Sequence, residues 1–287
     1  MELSAQRRRR SLRLRDGRVI RFPAVMGVVN VTPDSFSDGG LYLEPRRAAE
    51  HALELQAQGA DIIDLGGEST RPVGAREVPV DEELARIVPV LERLKGKLKA
   101  PLSIDTRKAA VARAALDAGG AIINDVSALT ADPAMAPLAA ERGCAVVLMH
   151  MRGGPANHMQ FARYRDVVHE VAAYLAARAA AARAAGVARS RIILDPGLGF
   201  SKQPRHSLRL MGALPRLCAL GYPILIGASR KGFVRLSAGA EPAAVAFASA
   251  AASAIAVLGG AAIVRVHDVA AASAAVRMAA AIKAGGG

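Results

Sequence analysis

Eight short apolar runs, each ending in polar residues, constrain this chain more than any other feature of it. The runs are Ala24–Val29, Asp61–Leu65, Leu102–Ile104, Ala121–Ile123, Ala145–Met149, Ile192–Leu194, Ile224–Ile226 and Ile263–Val266. The first, AVMGVV, carries no charge and reads as a fully buried strand. Ala/Leu/Arg/Glu-rich segments with helical spacing lie between most of them, among them Arg46–Gln58, Asp81–Leu94, Lys108–Ala118, Tyr164–Ala185 and Glu241–Leu258. Strands alternating with helices mean parallel βα units. Eight units within 287 residues argue for an α/β chain closed into a (β/α)8 TIM barrel. An open doubly wound sheet is the alternative, but no GxGxxG follows the first strand. Residues 11–22, SLRLRDGRVIRF, alternate around Asp16-Gly17 and predict a β-hairpin with a primed turn, lying over the amino-terminal mouth. The expected layout is a basic flexible tail, 1–10, and a single barrel domain, 11–287.

Composition narrows the partners. The net charge is +13, and residues 1–21 alone hold eight arginines, with the rest of the excess spread along the chain. Nucleic-acid binders interleave aromatics for stacking, whereas aromatics here are 3% with no Trp, so no nucleic-acid partner is expected. A solvated basic tail, or attraction for anionic substrates, explains the charge. No apolar segment follows Arg7–Arg10, so neither a secretory nor a twin-arginine signal is read there. Ala243–Val264 is uncharged and long enough to cross a bilayer, but it is mostly Ala and is interrupted by Gly259-Gly260. A packed helix, a turn and a strand fit it better, and no membrane partner is expected. Cys144 and Cys218 lack metal-ligand spacing and have apolar neighbours, as expected of buried free thiols in a reducing, cytoplasmic compartment. A long-range disulfide is the other reading.

The chemistry lies in the strand endings. They are Asn30; Gly66 to Pro72; Asp105-Thr106-Arg107; Asn124-Asp125; His150 and Arg152; Asp195-Pro196-Gly197; Ser229-Arg230-Lys231; and Arg265, His267 and Asp268. In a barrel all eight converge on one mouth. Each alone reads as a cap, an ion pair or a solvated loop charge. Together they point to a site for a polar, partly anionic ligand. Asp195 and Asn124 would match a heterocycle with adjacent N–H donors. Arg71, Arg265, His267 and Lys231 suit a phosphate or diphosphate. The Gly227-Ala228-Ser229 turn, if it opens a helix, adds backbone N–H groups for an anion. The loop after the first strand, Thr32 to Gly40, is rich in Ser, Asp and Gly and reads as mobile. There is no Cys–His pair at the mouth, no G-x-S-x-G elbow and no zinc spacing, so transfer by positioning is expected, with no covalent enzyme intermediate.

The stretches MGVVNVTPDSFSDGG (26–40), GADIIDLGGESTRP (59–72), SIDT (103–106), INDVS (123–127), VLMHMRG (147–153), ILDPGLGF (193–200), SRKGF (229–233) and VRVHDV (264–269) resemble the dihydropteroate synthase family over almost the whole chain beyond the tail. The resemblance implies condensation of 6-hydroxymethyl-7,8-dihydropterin diphosphate with p-aminobenzoate, a Mg²⁺ cofactor, a homodimer and a sulfonamide target. It implies that Asp105, Asn124, Asp195 and Lys231 hold the pterin with Met149 packed on it. Asn30 would contact Mg²⁺ and diphosphate, and Arg265 and His267 the diphosphate, with Arg71 close by. Phe36, Asp38, Thr70, Arg71, Pro72 and Phe200 would form the p-aminobenzoate pocket, with Ser229 and Gly232 at its edge. It further implies a dissociative reaction in which diphosphate leaves first, Asp38 and Asp105 steadying the cation and Lys231 assisting.

Two positions depart from the family pattern. Gly232 stands where many members carry Ser, and Arg107, where Tyr is often seen, reads as a surface change. A corrinoid-dependent methyltransferase on the same barrel is a second reading, disfavoured by the 30–40 loop and the SRK and RVHD endings. A non-catalytic paralogue is a third, against which stand Asp38, Lys231 and His267. The Ala-rich helix 241–258 is the candidate dimer surface.

Overall fold

A computed structural model describes residues 11–32, 43–69, 77–239 and 241–285. Strands β1 (Ser11–Arg13) and β2 (Val19–Arg21) form an antiparallel hairpin with Leu12 opposite Ile20. The barrel strands are β3 (Ala24–Asn30), β4 (Ile62–Gly66), β5 (Leu102–Asp105), β6 (Ile122–Asp125), β7 (Ala145–Met149), β8 (Ile192–Asp195), β9 (Leu225–Ile226) and β10 (Ile263–Val266). They hydrogen-bond in the order β8-β7-β6-β5-β4-β3-β10-β9, all parallel. A parallel bridge from Leu194 to Ile224 closes the ring, beside a 2.9 Å hydrogen bond from the Leu194 N–H to the Pro223 carbonyl. The (β/α)8 barrel is therefore borne out, and the doubly wound alternative is not.

The helices are α1 (Leu43–Ala57), α2 (Val80–Leu94), α3 (Ala109–Asp117), α4 (Met135–Arg142), α5 (Val167–Ala184), α6 (Pro204–Gly212), α7 (Leu214–Cys218), α8 (Gly232–Ala238), α9 (Pro242–Leu258) and α10 (Val269–Gly285). Among the described residues, no single helix is long and apolar enough to cross a membrane. Cys144 and Cys218 are both free thiols.

Strand alternation sorts the barrel's side chains into two sets. Val25, Ile63, Ile104, Ile123, Val146, Leu194 and Val264 face outward and join the helices in the main core. Met26, Ile62, Ile122, Val147, Ile193, Leu225 and Ile263 face inward and meet Leu12, Leu14 and Ile20 of the hairpin. The hairpin thus plugs the amino-terminal end with apolar side chains. Two positions further along the same strands the inward residue turns polar, giving Asp64 after Ile62, Asn124 after Ile122, Asp195 after Ile193 and Arg265 after Ile263. One barrel interior is a dry floor at one end and a polar layer at the other.

Four local expectations are corrected. The hairpin turn is not a two-residue primed turn: Leu14 N–H donates to the Arg18 carbonyl at 2.8 Å, so three residues form the loop. Only Gly17 among them has positive φ (+88°), and this loop needs only one such residue. The Gly227-Ala228-Ser229 turn opens no helix; α8 begins at Gly232, with Lys231 as the residue before it. Helix α5 begins at Val167 rather than Tyr164, because the Asp166 carboxylate accepts the Val168 and His169 N–H groups at 3.0 and 3.2 Å. Arg107 is not a surface change: it is half-buried and donates to Glu68 Oε1 at 2.9 Å.

Candidate active site

The polar layer is held by a chain of hydrogen bonds across the barrel. Asp64, fully buried on β4, accepts Arg265 Nε at 2.6 Å and Asn124 Nδ2 at 3.0 Å on the same oxygen, Oδ2. Arg265 Nη2 then reaches Asp105 Oδ2 at 2.8 Å. Four strands, β4, β5, β6 and β10, are tied together by these contacts. With its amide nitrogen committed to Asp64, Asn124 keeps Oδ1 as an acceptor. Asp195 Oδ1 accepts the Gly197 N–H at 2.7 Å, and among the described residues its Oδ2 takes no hydrogen bond. Gly197 is obligatory here. Its φ is +65°, and a Cβ would lie 2.1 Å from the His150 carbonyl oxygen.

Burial sets the charge states. It raises the Asp105 carboxyl to about 7, with Asp64, Glu83 and Asp125 adding to the rise and Arg265 opposing it. Burial likewise raises Asp195, against the Gly197 N–H and the nearby Lys231 and Arg265. Lys231 is pushed down to about 8 by burial and by Arg265, with Asp195 and Asp105 opposing. For Arg265, burial works against the charge, but Asp64 and Asp105 outweigh it and raise its pKa. His267 falls to about 4 through burial and the neighbouring Arg265, Arg230 and Lys231 cations. It is therefore neutral near pH 7, with Nδ1 3.2 Å from Ser229 Oγ, and offers an anion a hydrogen bond rather than a charge.

An apolar wall stands beside this layer. Met149 packs with Val126 and Met151, and Phe200 lies against this cluster. Lys231 Nζ sits 4.0 Å from the centre of the Phe200 ring. Asn30 is half-buried at the carboxyl end of β3, in register with Gly66. Ser229 is buried and also accepts the His267 N–H at 3.3 Å. Gly232 opens α8, and a Cβ built there meets nothing within 4 Å, so the Ser common at this position would fit. Asp125 faces away from the layer and caps the following turn through Ser127 and Leu129. Phe36, Asp38, Thr70, Arg71 and Pro72 lie outside the described residues.

Four residues in or beside the site escaped the sequence reading. Asp64 was hidden inside an apolar run; its signal is its place two residues after Ile62, the inward phase of the strand. Val126 and Met151 follow strand ends chosen for their polar residues. Lys202, only 2% exposed, lies behind the wall in a loop with no strand signal.

The residues 26–267 match the family model described as pterin binding enzyme. The dihydropteroate synthase of Mycobacterium leprae is 54% identical over 252 residues, covering 85% of this chain and 88% of the relative. A structure of Xanthomonas albilineans dihydropteroate synthase with 4-aminobenzoic acid superposes with a TM-score of 0.89 at 46% identity, covering 96% of this chain and 98% of the other. The Xanthomonas albilineans enzyme in complex with 7,8-dihydropteroate gives a TM-score of 0.85 at 44% identity, covering 96% and 99%.

Proposed function

The chain belongs to the dihydropteroate synthase family, transferases of folate biosynthesis, and we infer that its barrel mouth joins 6-hydroxymethyl-7,8-dihydropterin diphosphate to p-aminobenzoate, giving 7,8-dihydropteroate and diphosphate. The observation that carries the residue roles is the hydrogen-bonded layer of Asp64, Arg265, Asp105 and Asn124, with Asp195 and Lys231 in the same mouth. Asn124 Oδ1 and Asp195 Oδ2 offer two acceptors to a ring with adjacent N–H donors, the pattern of the pterin's amino-pyrimidinone edge. Met149, Val126 and Met151 would pack on the ring face. His267, Ser229 and Arg265 would receive the diphosphate end, and Phe200 and Lys231 the border with p-aminobenzoate. Asp38, Phe36, Thr70, Arg71, Pro72 and the edge residue Gly232 complete the proposed p-aminobenzoate side.

For the reaction we propose the dissociative course that the family resemblance implies. Diphosphate departs first, and ring nitrogens spread the charge of the exocyclic methylene cation. Asp105, ionised above about pH 7, and Asp38 would steady that cation. The amine of p-aminobenzoate then bonds to the methylene and loses its proton. Mg²⁺ fits this site only as an ion shared with substrate. Among the described residues no three His, Cys, Asp or Glu side chains are placed to cage a metal. The Asn30 amide oxygen, diphosphate oxygens and water would match the usual magnesium ligation. When bound, the ion would neutralise charge on the leaving group.

We further propose residues 11–287 as one domain, a cytoplasmic setting consistent with two free thiols, and a homodimer. The decisive experiment incubates the protein with pterin diphosphate, p-aminobenzoate and Mg²⁺ and reads dihydropteroate by mass. Product well above a Lys231→Ala control is expected. Pterin binding without product would point instead to the methyltransferase or the inactive paralogue.

A further inference from the structure

Lys202 carries a buried amine to which the proposed reaction gives no task. Its Nζ lies 2.9 Å from His150 Nδ1, 3.3 Å from the His150 carbonyl oxygen and 2.9 Å from the Phe200 carbonyl oxygen. Burial pushes this amine down to about 7; in its ammonium form it has three N–H donors, and these three acceptors use all of them. His150 follows β7 and Phe200 follows β8, so one side chain ties two neighbouring strand endings together.

The surroundings make His150 a fixed partner. Its ring is 1% exposed as a residue and stands edge-on to Tyr174 at 4.8 Å between centres. Burial keeps the imidazole neutral, and in the tautomer with the proton on Nε2 its Nδ1 accepts from a Lys202 ammonium. The next residue after Phe200 is pinned as well. Ser201 N–H donates to His158 Nδ1 at 2.9 Å, and its hydroxyl donates to the Arg152 carbonyl at 2.9 Å. The Phe200–Ser201 peptide is thus anchored at both its carbonyl and its N–H, and Phe200 carries the ring that lies 4.0 Å from Lys231 Nζ.

We propose that Lys202 is a positioning residue that, through the Phe200 carbonyl, sets the Phe200 ring against Lys231 at the border between the pterin and p-aminobenzoate sites. The proposal rests on the site assignment above. A buried lysine kept only for packing could be replaced by an apolar side chain of equal length without moving Phe200. A clamp cannot, because leaving two buried carbonyls and an imidazole without donors frees the loop to rearrange.

Two variants separate these cases. Lys202→Met keeps the length and removes every donor; Lys202→Gln keeps two N–H donors on a shorter side chain and serves if the first fails to fold. The first readout needs no substrate: acylation of Lys231 by an amine-reactive reagent, followed by peptide mass spectrometry. Faster labelling of Lys231 in the variant is expected, by about threefold or more, as Phe200 uncovers the amine. The second is a kinetic split, with KM for p-aminobenzoate rising about tenfold for the lost hydrogen bonds and pterin affinity nearly unchanged. The third places Lys202→Gln in a Phe200→Leu background, where its effect on KM should vanish if it acts through that ring. Unchanged Lys231 labelling, parallel loss of pterin and p-aminobenzoate binding, or additive effects in the double variant would overturn the proposal. If the wild type makes no dihydropteroate, the site assignment fails, while the labelling result still decides the clamp.

Discussion

Asp64 holds Arg265 and Asn124 on a single buried oxygen while its other oxygen, Oδ1, is buried with no partner among the described residues. That arrangement makes it an orienting group for two residues proposed to face substrate. Asp64→Asn conserves shape but replaces the carboxylate. Arg265 then keeps only Asp105, and the Asn124 amide loses a charged acceptor. Pterin affinity measured by calorimetry should fall about tenfold or more, as expected for losing charge-assisted hydrogen bonds. Unchanged affinity in a folded variant would remove Asp64 from the site. Asp105 gives a pH prediction of definite sign. Its carboxyl is raised from 3.8 to about 7, chiefly by burial. The ionised form that steadies a cation exists above that pH and is lost as pH falls through it. The rate at saturating substrates should therefore drop on the acid side of about pH 7. The linkage to stability runs the other way. The folded state holds this proton more tightly, so the Asp105 contribution is present below 3.8 and is lost as pH rises through about 7. A flat rate profile between pH values of about 5 and 8 would sink the assigned role.

At the scale of elements, the hairpin and the catalytic layer occupy opposite ends of one barrel interior. Leu12 and Leu14 are each 1% exposed, packed on inward residues such as Met26, Ile62 and Ile193. Leu12→Ala leaves a cavity in that floor and should cost about 2–5 kcal/mol of stability. Turnover below the melting range should stay near wild type, because the substituted residue touches none of the polar layer. Thermal unfolding and an initial-rate assay check the two halves of this statement, and a large loss of rate with little loss of stability would contradict it. Strand and helix identities were readable because short continuous apolar runs and longer Ala-rich runs of helical spacing differ strongly along this chain. Boundaries were less so, since they depend on single hydrogen bonds: the Asp166 cap starts α5 late, and one left-handed glycine sets the hairpin loop. The burial of Arg107 was invisible for the same reason. Its partner Glu68, which Lys108 also contacts at 2.7 Å, comes from a different βα unit.

At the scale of the molecule, the strand endings could be assigned to one mouth from the sequence because barrel closure brings every carboxyl end together. What sequence could not supply was which ending faces inward. Asn124 does and Asp125 does not, although they are adjacent. The outer surface has a parallel asymmetry, seen on α9. This helix buries Ser249 and Ser253, whose hydroxyls donate to the Val245 and Ser249 carbonyls at 2.7 and 2.9 Å. It exposes Phe247 and Ile255 instead, at 75% and 57%. Met278 and Ile282 of the adjacent α10 are exposed at 64% and 53%, and Leu236 of α8 at 73%. Large apolar side chains outside and small polar ones inside reverse the usual order for a surface helix, and such a face is stabilised by being covered. A second copy of the chain is the proposed cover. Phe247 lies eight residues before Ile255, so the two share one side of α9 at helical spacing. Placing a carboxylate at either position puts an unpaired charge at the centre of the proposed contact. Phe247→Glu and Ile255→Glu should each shift sedimentation equilibrium from dimer to monomer at micromolar concentration. The active-site layer, built wholly within one barrel among the described residues, should still bind pterin in the monomer. A wild-type protein that sediments as a monomer, or variants that remain dimeric, would overturn a second copy as the cover of this face.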